Sequence, residues 1–270
     1  MSLQFLKLGG SLITRKQVPQ SARPEVLMRL AEEIQHACQN DPQLQLVLGH
    51  GSGSFGHVSA SRYGTRQGVH SPQEWLGFVE VWRDAQALNR LVVDILGEAG
   101  LPVVGLSPLA SVTARDGRVI SWDLTPLQAA LQHGLIPVVY GDVIFDFQRG
   151  GTILSTEDLF FYLAGKLAPR RILLAGIEAG VWADYPACTR LVAEITPESY
   201  SEVISKLAGA QAVDVTGGMA SKVQLSLDLV KMVPGLEIMI FSGEQPGLTE
   251  SALAGSSPGT LIHEFPFAGH

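Results

Sequence analysis

The chain has 270 residues, 46% of them apolar and 17% charged, and a formal net charge of -7. This is ample material for a core and argues against global disorder. With no long basic run, nucleic acid and anionic membrane surfaces are poor partners. Two cysteines, Cys38 and Cys188, are too few for a disulfide framework or a thiolate metal cluster, and no protein metal site is expected. The opening MSLQFLKLGG lacks the pattern of a secretion signal, and no apolar run approaches the ~20 residues that span a bilayer. A cytoplasmic protein is the expectation.

In chain order, LQFLKL reads as a strand broken at Gly9-Gly10, and Pro24 to about Asn40 has helical spacing. LQLVL at 44–48 is a second buried strand. It runs into GHGSGSFGH, whose composition reads as a loop carrying His50 and His57. A long helix is predicted from Pro72 to Gly97, with Leu76, Val79, Leu88, Leu91, Val92 and Ile95 on its apolar face. LPVVGL at 101–106 is a third strand, and Asp116-Gly117 between alternating residues marks a hairpin.

A helix near 124–133 leads to a fourth buried strand, LIPVVYGDV. A second hairpin turns near Arg149-Gly150-Gly151. TEDLFFYLAGKLA is a helix with Thr156 near its N-cap and acidic groups in its first turn. RRILLAG is a fifth strand. Helices at about 197–207 and Met219–Val233 follow, then strands at LEIMIF and near GTLIH. Short apolar strands alternating with helices predict an α/β fold, a mostly parallel sheet with helices on both faces. The one weak boundary falls near 170–180.

Four glycine-containing loops follow strands: Gly9-Gly10-Ser11, Gly49 to Gly56, Gly141-Asp142 and Gly217-Gly218. In an open parallel sheet, ligands gather at the carboxyl ends of the strands. Glycine lets a backbone approach a phosphate and aim N–H groups at it. No GxxxxGK[ST] motif is present, and one GxG spacing is weak evidence for a dinucleotide. Four such turns at one edge point to a polyphosphate site instead. Lys7, Lys16 and Lys222 lie at or near these loops, and a lysine at a buried strand end needs an anionic partner.

LKLGGSLIT, GHGSGSFGH, IPVVYGDV and DVTGGMASK together resemble the amino acid kinase family and, more narrowly, its isopentenyl phosphate kinase branch. The resemblance runs nearly the length of the chain. It implies an open αβα sandwich that moves the γ-phosphoryl of ATP, accompanied by Mg²⁺, onto a phosphate oxygen of isopentenyl monophosphate. It also implies a homodimer, an acceptor half at 1–170 and a nucleotide half at 171–270. By resemblance, Lys7 bridges the transferring group, Gly9, Gly10 and Ser11 form a backbone cradle, and Lys16 is a second lysine near the phosphates. Gly53 stands beside the ATP phosphates, His57 grips the acceptor phosphate, and Lys222 lies on the nucleotide side with Gly217 and Gly218.

The resemblance places Ser52, Gly56, Gly141, Asp142 and Thr156 around the acceptor. Phe78 and Trp82, four residues apart on the long helix, and Trp122 are candidate walls for a prenyl tail. His50 reads as architectural.

Three departures from the family pattern stand out. Ser52 replaces the middle glycine of HGGGSFGH. Glu157, with Asp158 beside it, stands where an aspartate is usual. The threonine-aspartate after the fifth strand is missing, leaving Gly180 and Asp184 as candidate nucleotide contacts. A kinase of another small phosphate or phosphonate, such as fosfomycin, is the nearest rival. A nucleotide-binding subunit without turnover is the rival from another class.

Overall fold

The computed structural model describes residues 2–15, 17–200 and 215–264, with backbone alone for 57, 58 and 215–217. In chain order the elements are β1 (Ser2–Leu8), α1 (Gly10–Ile13), α2 (Pro24–Asn40), β2 (Leu44–His50), α3 (Gly53–Tyr63), α4 (Pro72–Glu98), β3 (Val103–Gly105), β4 (Val112–Arg115) and β5 (Arg118–Trp122). There follow α5 (Thr125–Gln132), β6 (Ile136–Tyr140), β7 (Asp142–Asp146), β8 (Gly150–Leu154), α6 (Thr156–Leu167) and β9 (Arg171–Gly176). The chain goes on through β10 (Val181–Trp182), β11 (Leu191–Val192), β12 (Glu194–Ile195), α7 (Val215–Met232), β13 (Glu237–Ser242), α8 (Leu248–Leu253) and β14 (Thr260–Ile262).

Eight strands form one sheet in the order β12-β14-β13-β9-β1-β2-β6-β3. The run from β13 to β3 is parallel, and β14 turns back against β13. The strands read as unbroken apolar runs because both faces are covered. Phe5, Val47, Ile172, Leu174 and Ile238 pack beneath α6 and α7, while Leu6, Leu48, Leu173 and Met239 pack beneath α2 and α4. This is the αβα sandwich expected from the alternation of strands and helices.

β1 pairs with β2 on one side and with β9 on the other. The order therefore reverses direction at β1, and the crevice at such a switch point is where open α/β sheets bind ligands. A four-stranded sheet, β5-β4-β7-β8, stands beside the main one. Its first hairpin turns at Asp116 and Gly117, both at positive φ, as the Asp-Gly pair predicts. The LIPVVYGDV stretch is not one strand. It breaks at Gly141, which passes the chain from β6 in the large sheet to β7 in the small one.

Two expectations need correction. Residues 53–63 are a helix, α3, although their Ser, Gly and His content reads as loop. The long helix has its ends as expected, with a capping box between Ser71 and Glu74, but its buried face is rotated. Gly77, Phe78, Val81, Ala85, Leu88, Val92 and Leu96 face inward, while Leu76, Val79 and Leu91 are exposed. The phase is set by Gly77, where a Cβ would lie 2.2 Å from Tyr63 Cγ, and by Ala85; small residues carry little hydropathy signal. The helix expected at 197–207 lies mostly outside the described residues. The helix expected from Met219 begins at Val215.

Phe78→Ala is expected to cost about 3–5 kcal/mol, as for a buried aromatic. Leu76→Ala should stay within about 0.5 kcal/mol, as for a surface change. Urea unfolding of the two variants checks the rotated face.

Candidate active site

The turns after β1 and β2 meet at the sheet edge with no room between them. A Cβ on Gly10 would lie 2.3 Å from the Gly53 nitrogen, and one on Gly51 would lie 2.7 Å from the Gly10 nitrogen. Glycine is thus required for two backbones to touch. Ser52 is right-handed helical (φ -72°, ψ -21°) and Gly53 follows at φ +50°. That succession turns consecutive N–H groups toward one concavity, an anion-binding nest. Of these groups, the Ser54 N–H is taken by Thr14 Oγ1 at 2.9 Å. The Ser52 and Gly53 N–H groups have no acceptor among the described residues.

Lys7, the last residue but one of β1, lines the same crevice, and its ammonium donates to the Glu157 carboxylate. Glu157 is the second residue of α6. Burial alone would raise its pKa, but the charge and hydrogen bond of Lys7, helped by Lys222, hold it below the usual carboxylate range. Lys222, on α7, has its pKa lowered by burial and by the charge of Lys7, against the pull of Glu157 and Glu178. The charge of one carboxylate thus acts on both lysines.

Asp158, the alternative for this role, does something else. It closes a capping box with Ser155 and lies 3.3 Å from Arg66. The N-cap of α6 is accordingly Ser155, and the Thr156 hydroxyl donates to the His50 carbonyl at 2.6 Å.

A cavity of about 280 Å³ opens from this edge. Its polar lining is Lys7, Gly10, Ser11, Ser52, Gly53, Arg66 and Glu157, and Gly56, Gly141 and Thr156 also line it. Its apolar wall is Ala60, Val81, Ala85 and Ile153. Phe78 and Trp82 are not among the lining residues. Phe78 packs in a small core with Val69, Val81 and Val143, and Trp82 is more than a third exposed. Trp122 packs against Tyr162 in the core beneath α6. The signal that would have found the wall is Val81 and Ala85, one helical turn apart on the buried face of α4.

Asp142 lines the cavity too, yet its side chain is almost wholly buried. Oδ1 accepts from the Val143 N–H at 2.8 Å, and burial pushes the carboxyl up to about 7 against the pull of the Val143 and Leu109 amides and the Ser107 hydroxyl.

Gly180 and Asp184 lie outside this cavity. A Cβ on Gly180 would meet Thr260 Oγ1 at 2.5 Å, and Asp184 accepts from the Thr189 and Arg190 amides of its own loop. Gly9 backs onto the Ala175 carbonyl, and Gly218 sits in the first turns of α7. Lys16 and the side chain of His57 lie outside the described residues; the backbone of His57 is in α3, and that of Gly217 in α7. A larger cavity of about 590 Å³, lined by Arg118, Tyr162, Lys166, Leu225 and Asp228, runs along α6 and α7 rather than at the strand ends.

The amino acid kinase family model matches residues 2–242. The chain belongs to this family. It is similar throughout its length to the isopentenyl phosphate kinases in it. The protein of that name from Methanocaldococcus jannaschii is 30% identical over 269 residues, 96% of this chain and 98% of that one. The one from Haloferax volcanii is 33% identical, over 97% of this chain and 99% of that one. Among solved structures, one described as X-ray structures of isopentenyl phosphate kinase superposes with a TM-score of 0.81 at 30% identity, covering 96% of this chain and 99% of that one. Within the amino acid kinase family this chain is thus grouped with the isopentenyl phosphate kinases.

His50, at the end of β2, is 1% exposed and stacks on Tyr140, with ring centroids 5.4 Å apart. Burial first, and the charge of Lys7 last, lower its pKa from 6.5 to about 4. Unfolded chains then take up a proton below pH 6.5 that the native state refuses until about pH 4. Stability attributable to His50 is full above pH 6.5 and falls by about 3 kcal/mol as pH drops to 4. Stability curves of the parent protein and of His50→Asn, measured across that window, should differ by this slope.

Proposed function

We propose that this amino acid kinase transfers the γ-phosphoryl of ATP onto a phosphate oxygen of isopentenyl monophosphate, giving the diphosphate. The observation that carries the reading is the lining of the cavity. It brings a glycine nest and Lys7 together with an apolar patch of Ala60, Val81, Ala85 and Ile153, and Arg66 and Asp142 also line it. A short alkyl phosphate has the matching polar and apolar ends. The volume, at the small end of the roughly 300–1,000 Å³ usual for ligand sites, suits a small acceptor.

In this proposal the chain does little covalent chemistry, because phosphoryl transfer depends on positioning and on neutralising charge. β1 separates an acceptor half, residues 1–170, from a nucleotide half, residues 171–270. Lys7, at its end, stands between donor and acceptor and neutralises the group in flight. Gly10, Ser11 and Gly53 hold donor oxygens with backbone N–H groups. Lys222 approaches from the nucleotide side, and Lys16 adds a further charge. His57 grips the acceptor phosphate, with Ser52 beside it. That phosphate is ionised near neutral pH, so no strong general base is needed.

Mg²⁺ fits as part of MgATP, since it keeps several waters and binds mainly through substrate phosphates. When bound it neutralises charge on the transferring phosphates. In this proposal the protein is a homodimer, as the resemblance implies, and works in the cytoplasm. No helix among the described residues is long and apolar enough to cross a membrane.

The test is ATP turnover by the purified protein with isopentenyl phosphate and, separately, with fosfomycin. A kcat/KM larger by about 10³ or more for the alkyl phosphate is expected, because the apolar wall is lost to a compact polar acceptor. Preference for fosfomycin would overturn the reading, and absence of turnover with both would favour a binding subunit.

A further inference from the structure

His50 has no task in the proposed chemistry, yet its ring is buried between two hydrogen-bonding partners. Both ring nitrogens face oxygen atoms. Nδ1 lies 3.2 Å from the Gly51 carbonyl, and Nε2 lies 3.3 Å from Asn89 Oδ1. The ring is neutral at working pH, since burial keeps its pKa near 4. A neutral imidazole has one N–H, so it can donate to only one of these two groups.

The two partners differ in what they can become. A main-chain carbonyl can only accept. An amide side chain can rotate by half a turn and present its NH₂ instead, and the two orientations have the same shape. A single arrangement satisfies every group. The proton is on Nδ1 and is donated to the Gly51 carbonyl, and the Asn89 amide turns to donate to Nε2.

That bond fixes a peptide plane. The Tyr185-Pro186 bond is the only cis peptide among the described residues, so the Gly51–Ser52 peptide is trans. In a trans peptide the C=O and the following N–H point in opposite directions. Holding the Gly51 carbonyl against the imidazole therefore turns the Ser52 N–H away from His50. Gly51, Ser52 and Gly53 line the cavity and His50 does not. The Ser52 N–H is the first donor of the nest, and it has no acceptor among the described residues.

We infer that His50 is a positioning residue: as its Nδ1–H tautomer it locks the Gly51–Ser52 peptide so that the Ser52 amide donates into the phosphate cavity. Two further contacts keep the lock in register. Tyr140 stacks on the ring and receives a hydrogen bond from Gln86 on α4 at 2.5 Å. The His50 carbonyl accepts from Thr156, the residue before Glu157, so the nest and the Lys7 ion pair share one anchor.

The inference rests on the phosphotransfer reading, and it is tested in two ways that separate the two. The tautomer is read on the free wild-type protein, from long-range ¹⁵N–¹H spectra of the imidazole near pH 7. A protonated Nδ1 is expected, and a protonated Nε2 overturns the inference whatever the enzyme's activity. The second arm uses substitutions. Asn places its amide nitrogen near the position of Nδ1, whereas Gln reaches only toward the position of Nε2. With ATP and isopentenyl phosphate, His50→Gln is expected to lower kcat about 10²-fold, at the low end of the loss for a preorganised donor. KM for ATP should change less than threefold. His50→Asn should recover most of that rate although it loses the ring stacking as Gln does. Equal kcat in the two variants, or losses that follow their thermal stabilities, would overturn the inference. A wild-type protein without turnover would instead count against the phosphotransfer reading and leave the tautomer result standing.

Discussion

The site depends on burying the ammonium of Lys7 at the end of the central strand. An amine there is tolerated only with an anionic partner, and Glu157 supplies it from the first turn of α6. That carboxylate also draws Lys222 from α7, so two cations are held near one anion. Glu178 adds its own pull on Lys222, and two lysines so placed beside a glycine nest are suited to phosphate oxygens. The position on β1 matters as much as the charge. With β9 and β13 on one side and β2 and β6 on the other, Lys7 stands where the sheet changes direction.

The second constraint is backbone contact. The turns after β1 and β2 approach so closely that no side chain fits between them, and α3 begins at once from the second turn. Its right-handed then left-handed start aims amides at the crevice. His50 links this nest to α4 through Asn89 and to α6 through Thr156. A residue that touches no substrate can thus govern how substrate is held.

Much of the architecture was legible in the sequence because its signals are local. Pro24 and Pro72 start helices where they stand, Asp116-Gly117 turns a hairpin, and the buried strands are short apolar runs. The glycine turns after β1, β2 and β6 were readable as one edge because each follows a strand, whereas Gly217 and Gly218, expected in a fourth such loop, lie in the first turns of α7. α3 was hidden because its helix is specified by tertiary contact, against the weak propensities of Gly and Ser. The phase of α4 was hidden because Gly77 and Ala85 mark its tightest packing. For the same reason Phe78 and Trp82 were expected at the cavity, where smaller neighbours form the wall. The choice between Glu157 and Asp158 needed three dimensions: both lie in one helical turn, and only the structure separates the carboxylate that meets Lys7 from the one that caps α6.

The most direct measurement of the central claim is the single-turnover rate of Glu157→Gln with ATP and isopentenyl phosphate, beside its equilibrium affinity for ATP. If Glu157 holds Lys7 between donor and acceptor, the amide should slow transfer by about 10²–10³, as for loss of one preorganised electrostatic contact, with ATP affinity changed far less. Transfer within about threefold of the parent rate would contradict the account.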